Sequence, residues 1–152
     1  MKVHKIMEQT ELTEQLEKIR GKLIAIEQPR PNRLYLSCES ENSREIVKFL
    51  FEDVGARFCV ATAIDADHCF EVLYHFSYDR TGCVISVKAF IRDRNKPSIE
   101  SVSHFLPAAE WIEREIHDTF GIEFRNHPDM RRLILADDWP QGVYPMRKEG
   151  TK

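Results

Sequence analysis

The stretch Arg57–Arg92, which reads RFCVATAIDADHCFEVLYHFSYDRTGCVISVKAFIR, decides the fold of this chain. Apolar side chains alternate with others along three segments of it, which is the period of half-buried β-strands. Two short polar turns, Asp65–His68 and Asp79–Gly82, separate the segments. Turns this short join antiparallel neighbours, so the stretch predicts a three-stranded meander. In its first strand the positions predicted to share one face are Phe58, Val60, Thr62 and Ile64.

Three helices are predicted outside the meander, because apolar residues recur there every three or four positions. The first covers Thr10–Arg20, and the second begins at a capping box formed by Asn42 and Glu45. The third runs over Pro107–Phe120, with the proline in its first turn. Its residues expected to face the sheet are Ala108, Ile112, Ile116 and Phe120.

Two shorter strands, Lys22–Glu27 and Arg33–Cys38, are predicted between the first and second helices. The element order is therefore α-β-β-α-β-β-β-α. This order predicts an α+β fold in which helices pack on a mostly antiparallel sheet. Residues 1–121 are expected to form one compact domain.

Residues 122–152 show no sustained helical or strand period, and three prolines interrupt them. Their composition is nevertheless too apolar for a disordered tail. We expect an extended C-terminal arm that buries its apolar residues on a partner protein. Those residues are Phe124, Met130, Leu133, Ile134, Leu135, Trp139, Tyr144 and Met146.

Composition narrows the class of protein. The 152 residues carry 22 Lys and Arg against 25 Asp and Glu, a net charge of -3, which argues against a dedicated nucleic-acid binder. No apolar run reaches the ~18 residues that span a bilayer, and the N-terminus does not resemble a secretory signal. The four cysteines form no C-x-x-C pair, so we expect reduced thiols in the core rather than a metal or iron–sulfur site.

Few residues suggest chemistry. Glu113, His117, Asp118 and His127 can be interpreted as a metal cluster, and a stand-alone metal-binding enzyme using Glu113, His117 and His127 is one alternative. Exposed helix pairs, Glu113 with His117 and Arg114 with Asp118, explain the same spacing. A second alternative is a weak nucleic-acid site, formed by Arg125, Arg131 and Arg132.

One longer pattern points to a particular protein family more specifically than these candidate sites do. It comprises EREIHDTFGIEF at residues 113–124 and HPDMRR at residues 127–132, followed by Asp138-Trp139 and by PMRK at residues 145–148. It resembles the signature of the thirty-kilodalton-type subunit of respiratory complex I, the NADH:quinone oxidoreductase. The same signature is similar to that of the related subunits of energy-converting membrane-bound [NiFe] hydrogenases and formate hydrogenlyases. With Thr62–Asp65 and Phe70–His75, the resemblance covers about residues 57–148.

The resemblance implies a peripheral-arm subunit on the cytoplasmic side of a membrane-anchored complex, with no redox cofactor of its own. Its partners would be the large hydrogenase-like subunit and iron–sulfur subunits, which hold the clusters and a quinone or nickel–iron site. No catalytic or metal-binding residue is implied. The residues implied to bind partners are Glu113, Arg114, Glu115, Asp118, Phe124, His127, Pro128, Arg131, Arg132, Trp139, Arg147 and Lys148. Residues 138–145 look more like the hydrogenase branch, and both branches stay open.

Overall fold

The computed structural model describes residues 11–148. The strands are β1 Ala25–Arg30, β2 Arg33–Glu39, β3 Arg57–Asp65, β4 Phe70–Tyr78, β5 Cys83–Ile91, β6 Ser98–Glu100 and β7 Glu123–Arg125. The helices are α1 (residues 11–17), α2 Ser40–Lys48 and α3 Glu110–Phe120. None of the helices in this described part is long and apolar enough to cross a membrane.

The main sheet has five strands in the order β1-β2-β5-β4-β3. The pairs β3–β4 and β4–β5 are antiparallel, which confirms the predicted meander. The pair β1–β2 is also antiparallel, whereas β2 and β5 are parallel because the chain passes through α2, β3 and β4 before it returns beside β2. The predicted α+β class with a mostly antiparallel sheet is confirmed.

A single apolar core joins the sheet to its helices. Ile46 and Leu50, from α2 and the turn after it, and Ile116 of α3 pack with the buried side chains of β4 and β5. Tyr74 and Val87 are both fully buried at the centre of these strands. Burying one such side chain stabilises the fold by roughly 1.5–3 kcal/mol, so this layer holds the helices on the sheet.

The prediction of which side chains of the first meander strand face the core is wrong beyond Phe58. The register of β3 against β4 shifts between Phe58 and Val60, so Cys59 is an extra residue in a bulge. A one-residue shift exchanges the two faces of a strand. Val60 and Ile64 are therefore 41% and 46% exposed. Cys59, which we expected in the core, is exposed, whereas the other three cysteines are buried.

The predicted capping box is also wrong. Helix α2 begins earlier, at Ser40, and no side chain caps it. The Asn42 side-chain amide instead donates to the carbonyl oxygen of Lys22 at 3.4 Å, and Glu45 forms an ion pair with the Lys22 ammonium at 2.8 Å. Both side chains thus tie α2 to the chain before β1 rather than to its own first turn.

The ends of α3 agree with the sequence. A 3₁₀ turn at Pro107–Ala109 leads into the helix, and Gly121 ends it in the left-handed conformation with φ 67°. Of the residues predicted to face the sheet, Ile116 and Phe120 are buried and Ile112 is half-buried, whereas Ala108 is exposed.

The sequence did not predict β6 and β7, which form a short parallel pair. Ile122, just before β7, and Phe124, within β7, belong to the core and are 0% and 1% exposed. The buried core of the described residues therefore extends past residue 121 to Phe124, and the division into domain and arm stays a prediction. We refer to residues 126–148 as the strap.

Candidate functional site

The strap lies on α3 and is bound there by a buried carboxylate. Asp118 is only 4% exposed, and its Oδ2 accepts the backbone N–H groups of Leu133 at 2.8 Å, Ile134 at 2.9 Å and Leu135 at 3.3 Å. Burial alone would raise the pKa of Asp118, but the three N–H donors outweigh it and hold the pKa below its ordinary value. One charge on α3 thus satisfies three consecutive strap amides.

Arg114 provides the second attachment, one helical turn before Asp118. Its Nε donates to the carbonyl oxygen of Arg131 at 2.8 Å and its Nη2 to that of Arg132 at 2.9 Å. Its Nη1 also lies 3.8 Å from the Asp129 carboxylate. The planar fork of an arginine matches two successive carbonyl groups, which the ammonium group of a lysine does not.

Two strap side chains organise the strap itself. The Arg132 Nη1 donates to the carbonyl oxygens of Ala136 and Trp139, both at 2.8 Å. The Trp139 indole then donates to the carbonyl oxygen of Val143 at 2.9 Å. These bonds close residues 132–143 into a loop whose backbone carbonyls point inward.

The end of the strap returns to the end of α3. Arg147 Nε donates to the carbonyl oxygen of Phe120 at 2.7 Å, and the Met146 N–H donates to that of Thr119 at 3.1 Å. The Arg147 guanidinium also stacks on the rings of Tyr144 at 4.5 Å and Phe70 at 5.0 Å. Carbonyl groups exposed at the last turn of a helix need such donors, and the strap supplies them.

Asp65, at the end of β3, fixes the last described residue. Its Oδ2 accepts the Lys148 backbone N–H at 2.9 Å, and its Oδ1 pairs with Arg94 at 2.7 Å. The burial of Asp65 favours a higher pKa, but the bonds from Arg94 and Lys148 lower the pKa below its ordinary value. The Lys148 ammonium binds the exposed Asp67 at 2.6 Å.

Glu113 lies beneath the strap and is fully buried. Its Oε1 accepts the Val102 N–H at 2.9 Å, and its Oε2 lies 2.6 Å from the Ser101 hydroxyl oxygen. The Tyr74 hydroxyl is 3.5 Å from Oε1, and the His127 Nε2 is 3.8 Å from Oε2. The predicted exposed pairs on α3 are therefore wrong, since Glu113 and Asp118 point into the fold and bind residues distant in sequence.

The structure separates the candidate metal ligands. The His117 ring is bonded to the carbonyl oxygen of Ile122 at 2.9 Å, and the His127 ring to that of Glu110 at 3.0 Å. Glu113 and His127 approach each other at 3.8 Å, but each bonds to other protein groups. Among residues 11–148 no group of three His, Cys, Asp or Glu side chains is placed to hold a metal ion.

The arginines of the nucleic-acid alternative point to protein groups. Arg125 binds Glu100 at 2.9 Å, and Arg131 binds Asp129 at 2.7 Å. Arg132 donates to strap carbonyls, as described above. No cluster of outward-pointing arginines results among these three.

Of the twelve residues predicted to bind partners, three are buried: Glu113, Asp118 and Phe124. Arg114, His127, Arg132, Trp139 and Arg147 are half-buried, and each bonds within the chain. Glu115, Pro128, Arg131 and Lys148 are exposed. The role of the set in partner binding stays a prediction. Sequence reasoning missed Asp65, Arg94 and Ser101, which complete these contacts from distant positions without a local motif.

The strap exposes several large apolar side chains. It carries four of the eight large hydrophobic side chains that are exposed in the described chain, although it contributes only 23 of the 138 residues from 11 to 148. A fifth, Trp111, is 69% exposed on α3. The four strap residues are Leu133 at 37%, Ile134 at 53%, Val143 at 43% and Met146 at 58% exposure. Such a concentration of exposed apolar groups is typical of a protein interface.

The fold is similar to that of a chain in the structure of the membrane-bound sulfane sulfur reductase, an archaeal respiratory membrane complex. The TM-score is 0.78 at 28% sequence identity, over 93% of this chain and 85% of that chain. The architecture is therefore of a class found in respiratory membrane complexes.

The family model described as the 30 kDa subunit of the respiratory-chain NADH dehydrogenase matches residues 36–151. The chain belongs to this family, which confirms the resemblance inferred from residues 113–148.

Relatives occur both among NADH-quinone oxidoreductase subunits and among formate hydrogenlyase subunits. One subunit of the NADH-quinone oxidoreductase of Citrifermentans bemidjiense, designated C, is 36% identical over 118 residues, 75% of this chain and 71% of that protein. Formate hydrogenlyase subunit 5 of Escherichia coli is 39% identical over 109 residues, 69% of this chain. The chain spans only 19% of the length of that second relative.

Proposed function

We propose that this chain is a non-catalytic assembly subunit of the peripheral arm of a complex I-like oxidoreductase. The complex would be an NADH:quinone oxidoreductase or an energy-converting membrane-bound hydrogenase. The chain docks on the large catalytic subunit and supports electron transfer coupled to ion translocation. It lies peripherally on the cytoplasmic side of the membrane.

The observation that supports this proposal is that the charged and the apolar side chains at the strap have different roles. The charged groups between α3 and the strap bond within the chain: Asp118 and Arg114 of α3 hold the strap, and Arg132 and Arg147 of the strap bind backbone carbonyls. Four of the strap's large apolar side chains, at Leu133, Ile134, Val143 and Met146, remain exposed. Contacts within the chain thus order the strap before it binds a partner. Binding therefore costs less conformational entropy.

In this proposal the chain binds no redox cofactor. Neighbouring subunits hold the iron–sulfur clusters and the quinone or nickel–iron site. The buried carboxylates Glu113 and Asp118 support this role, because both bond to other groups of this chain. Glu113 bonds to Ser101 and Val102, and Asp118 to the strap amides.

The test is a binding measurement between the full chain and the large hydrogenase-like subunit of the same complex. Ile134→Asp is expected to weaken binding by at least about tenfold, because it places a charge in a desolvated interface. Ile24→Asp is the matched control, since Ile24 is 54% exposed and Ile134 is 53% exposed. Equal affinity of the two variants would contradict the proposed docking surface, and absence of binding by the unaltered chain would contradict the docking itself.

A further inference from the structure

Glu113 is a fully buried carboxyl group without a cationic partner. Within residues 11–148 no lysine or arginine pairs with it, and its close polar contacts are Val102, Ser101 and Tyr74. A buried carboxylate without a counter-charge is costly. The contacts around Glu113 therefore determine whether its carboxyl group is ionised or protonated.

His127, the ionisable base nearest to Glu113 in the described chain, is fixed as a neutral imidazole. Its Nδ1 accepts the backbone N–H of Asp129 at 3.0 Å, and an N–H group can only donate. Its Nε2 lies 3.0 Å from the carbonyl oxygen of Glu110, which can only accept. These two roles describe the neutral tautomer that carries its proton on Nε2. His127 in this state supplies no positive charge to Glu113.

The hydroxyl groups beside Glu113 can satisfy it in either protonation state. When Glu113 is ionised, the Ser101 hydroxyl donates to Oε2 at 2.6 Å and Ser103 donates to Ser101 at 2.7 Å. When Glu113 carries a proton on Oε2, that proton is donated to the Ser101 oxygen, and Ser101 donates to Ser103. The Ser103 backbone N–H bonds the Ser101 oxygen at 3.2 Å in both states. Proton uptake therefore needs only two hydroxyl rotations.

The remaining groups around Glu113 do not compete for this proton. From β4, Tyr74 faces it, and burial followed by the Glu113 charge raises the pKa of that phenol well above its usual range. Behind Tyr74 lies Cys38, and burial raises the pKa of its thiol to about 12. From the chain after β6 the two serines and the Val102 amide face Glu113, and from the strap His127 does so.

We propose that Glu113 is a reversible proton-binding site, switched by the hydroxyl groups of Ser101 and Ser103 and coupled through His127 to the attachment of the strap. The coupling follows from the 3.8 Å separation of Glu113 Oε2 and His127 Nε2. Loss of the Glu113 proton leaves a negative charge there, which competes with the Glu110 carbonyl oxygen for the Nε2–H of His127. A ring drawn toward Glu113 in this way weakens the bond between its Nδ1 and the Asp129 N–H.

Burial supports a titration near neutrality. It raises the pKa of Glu113 from its ordinary 4.5 to about 7, while the bonds from Ser101, Val102 and Tyr74 lower it. The site adds a proton-linked function to the chain and does not depend on the assembly role proposed above.

The test is a pH titration, between about pH 5 and pH 9, of the full chain labelled with ¹³C at glutamate side chains. One carboxyl signal is expected to titrate near 7 and to be missing in Glu113→Gln. Titration of the Glu113 signal near 4.5 would overturn the proposal. If Glu113→Gln does not fold, correlation of the side-chain signal to its own backbone amide assigns it in the unaltered chain.

Two further measurements separate a switch from a merely structural carboxyl. Ser101→Ala removes the hydroxyl that donates to the ionised form and should move the midpoint upward; an unchanged midpoint contradicts the serine switch. The exchange protection of the Asp129 amide, corrected for intrinsic rates, should fall about tenfold as Glu113 ionises, within the usual range of coupling between sites. It should stay constant in Glu113→Gln. Constant protection in the unaltered chain would overturn the coupling to the strap, whatever the result of the docking test.

Discussion

The ring of Tyr144 lies directly over Gly121, so a Cβ atom at position 121 would overlap it. Gly121 ends α3 with φ 67°, a conformation that side chains disfavour. One glycine therefore does two things: it turns the chain out of the helix and leaves room for the strap to close back upon it.

Gly121→Ala is expected to destabilise the protein more than a positive φ alone explains. Left-handed alanine costs about 1–2 kcal/mol, and displacement of Tyr144 also disturbs its stacking with Arg147. Gly82→Ala is the control, because Gly82 has φ 69° and nothing within 4 Å of its Cβ position. Urea unfolding of both variants measures the difference, and equal losses would show that Tyr144 moves aside without cost.

The fold was largely predictable because its elements have regular periods. The meander of β3, β4 and β5 and the ends of α3 follow from alternation, turns and a terminal glycine. The bulge at Cys59 was not predictable, since one inserted residue leaves the alternation of Val60, Thr62 and Ile64 unchanged and only exchanges its face. Short strands such as β6 and β7 carry too few residues to show a period.

The sequence was enough to predict which residues form the site, but not which way their side chains point. The motif placed Glu113, Arg114 and Asp118 on one helix, and local spacing suggested exposed pairs. Their true partners are Ser101 and the strap backbone, which the fold brings together over 12 to 18 residues. Spacing of three or four residues describes neighbours on a helix and cannot show which of its faces another segment covers.

Glu113→Gln should flatten the dependence of stability on pH. The folded protein binds the Glu113 proton more tightly than the unfolded chain, so the free energy of unfolding decreases as the pH rises from 4.5 to about 7. The loss is on the order of 3 kcal/mol above that window, at 1.36 kcal/mol per pKa unit. Glutamine reproduces the protonated form and does not ionise.

Denaturant unfolding at pH 5 and pH 8 checks this expectation. Glu113→Gln should be more stable than the unaltered chain at pH 8 and about equal to it at pH 5. Glu115→Gln is the control, since Glu115 is exposed on the same helix. Its free energy of unfolding should depend on pH in the same way as that of the unaltered chain. A stability gap that is the same at both pH values would contradict the sign derived for Glu113.

Asp118→Asn should loosen the strap while leaving the body intact. All three strap N–H groups bond to one oxygen of Asp118, so asparagine can keep that acceptor but removes its negative charge. Hydrogen bonds to a charged group contribute about 1.5–3 kcal/mol, against about 1 kcal/mol for neutral ones, so the strap should be held less strongly. Hydrogen exchange at Leu133 and Ile134 should accelerate, whereas amides of β4 should not change. Asp138→Asn, at an exposed carboxyl, is the control; equal exchange in both variants would show that Asp118 does not hold the strap.

Asp65 and Asp67 contact the same lysine from positions two residues apart, and only one of these contacts should matter for stability. The Asp65 side chain is 3% exposed and binds both the Lys148 N–H and Arg94, so Asp65→Asn should cost about 1–3 kcal/mol. The Asp67 side chain is 81% exposed, and its ion pair with Lys148 is screened by water, so Asp67→Asn should change nothing measurable. Unfolding curves at low salt test both, because low salt favours the exposed pair. An equal effect of the two substitutions would mean that the charge of the lysine, rather than its backbone N–H and Arg94, fixes the end of the strap.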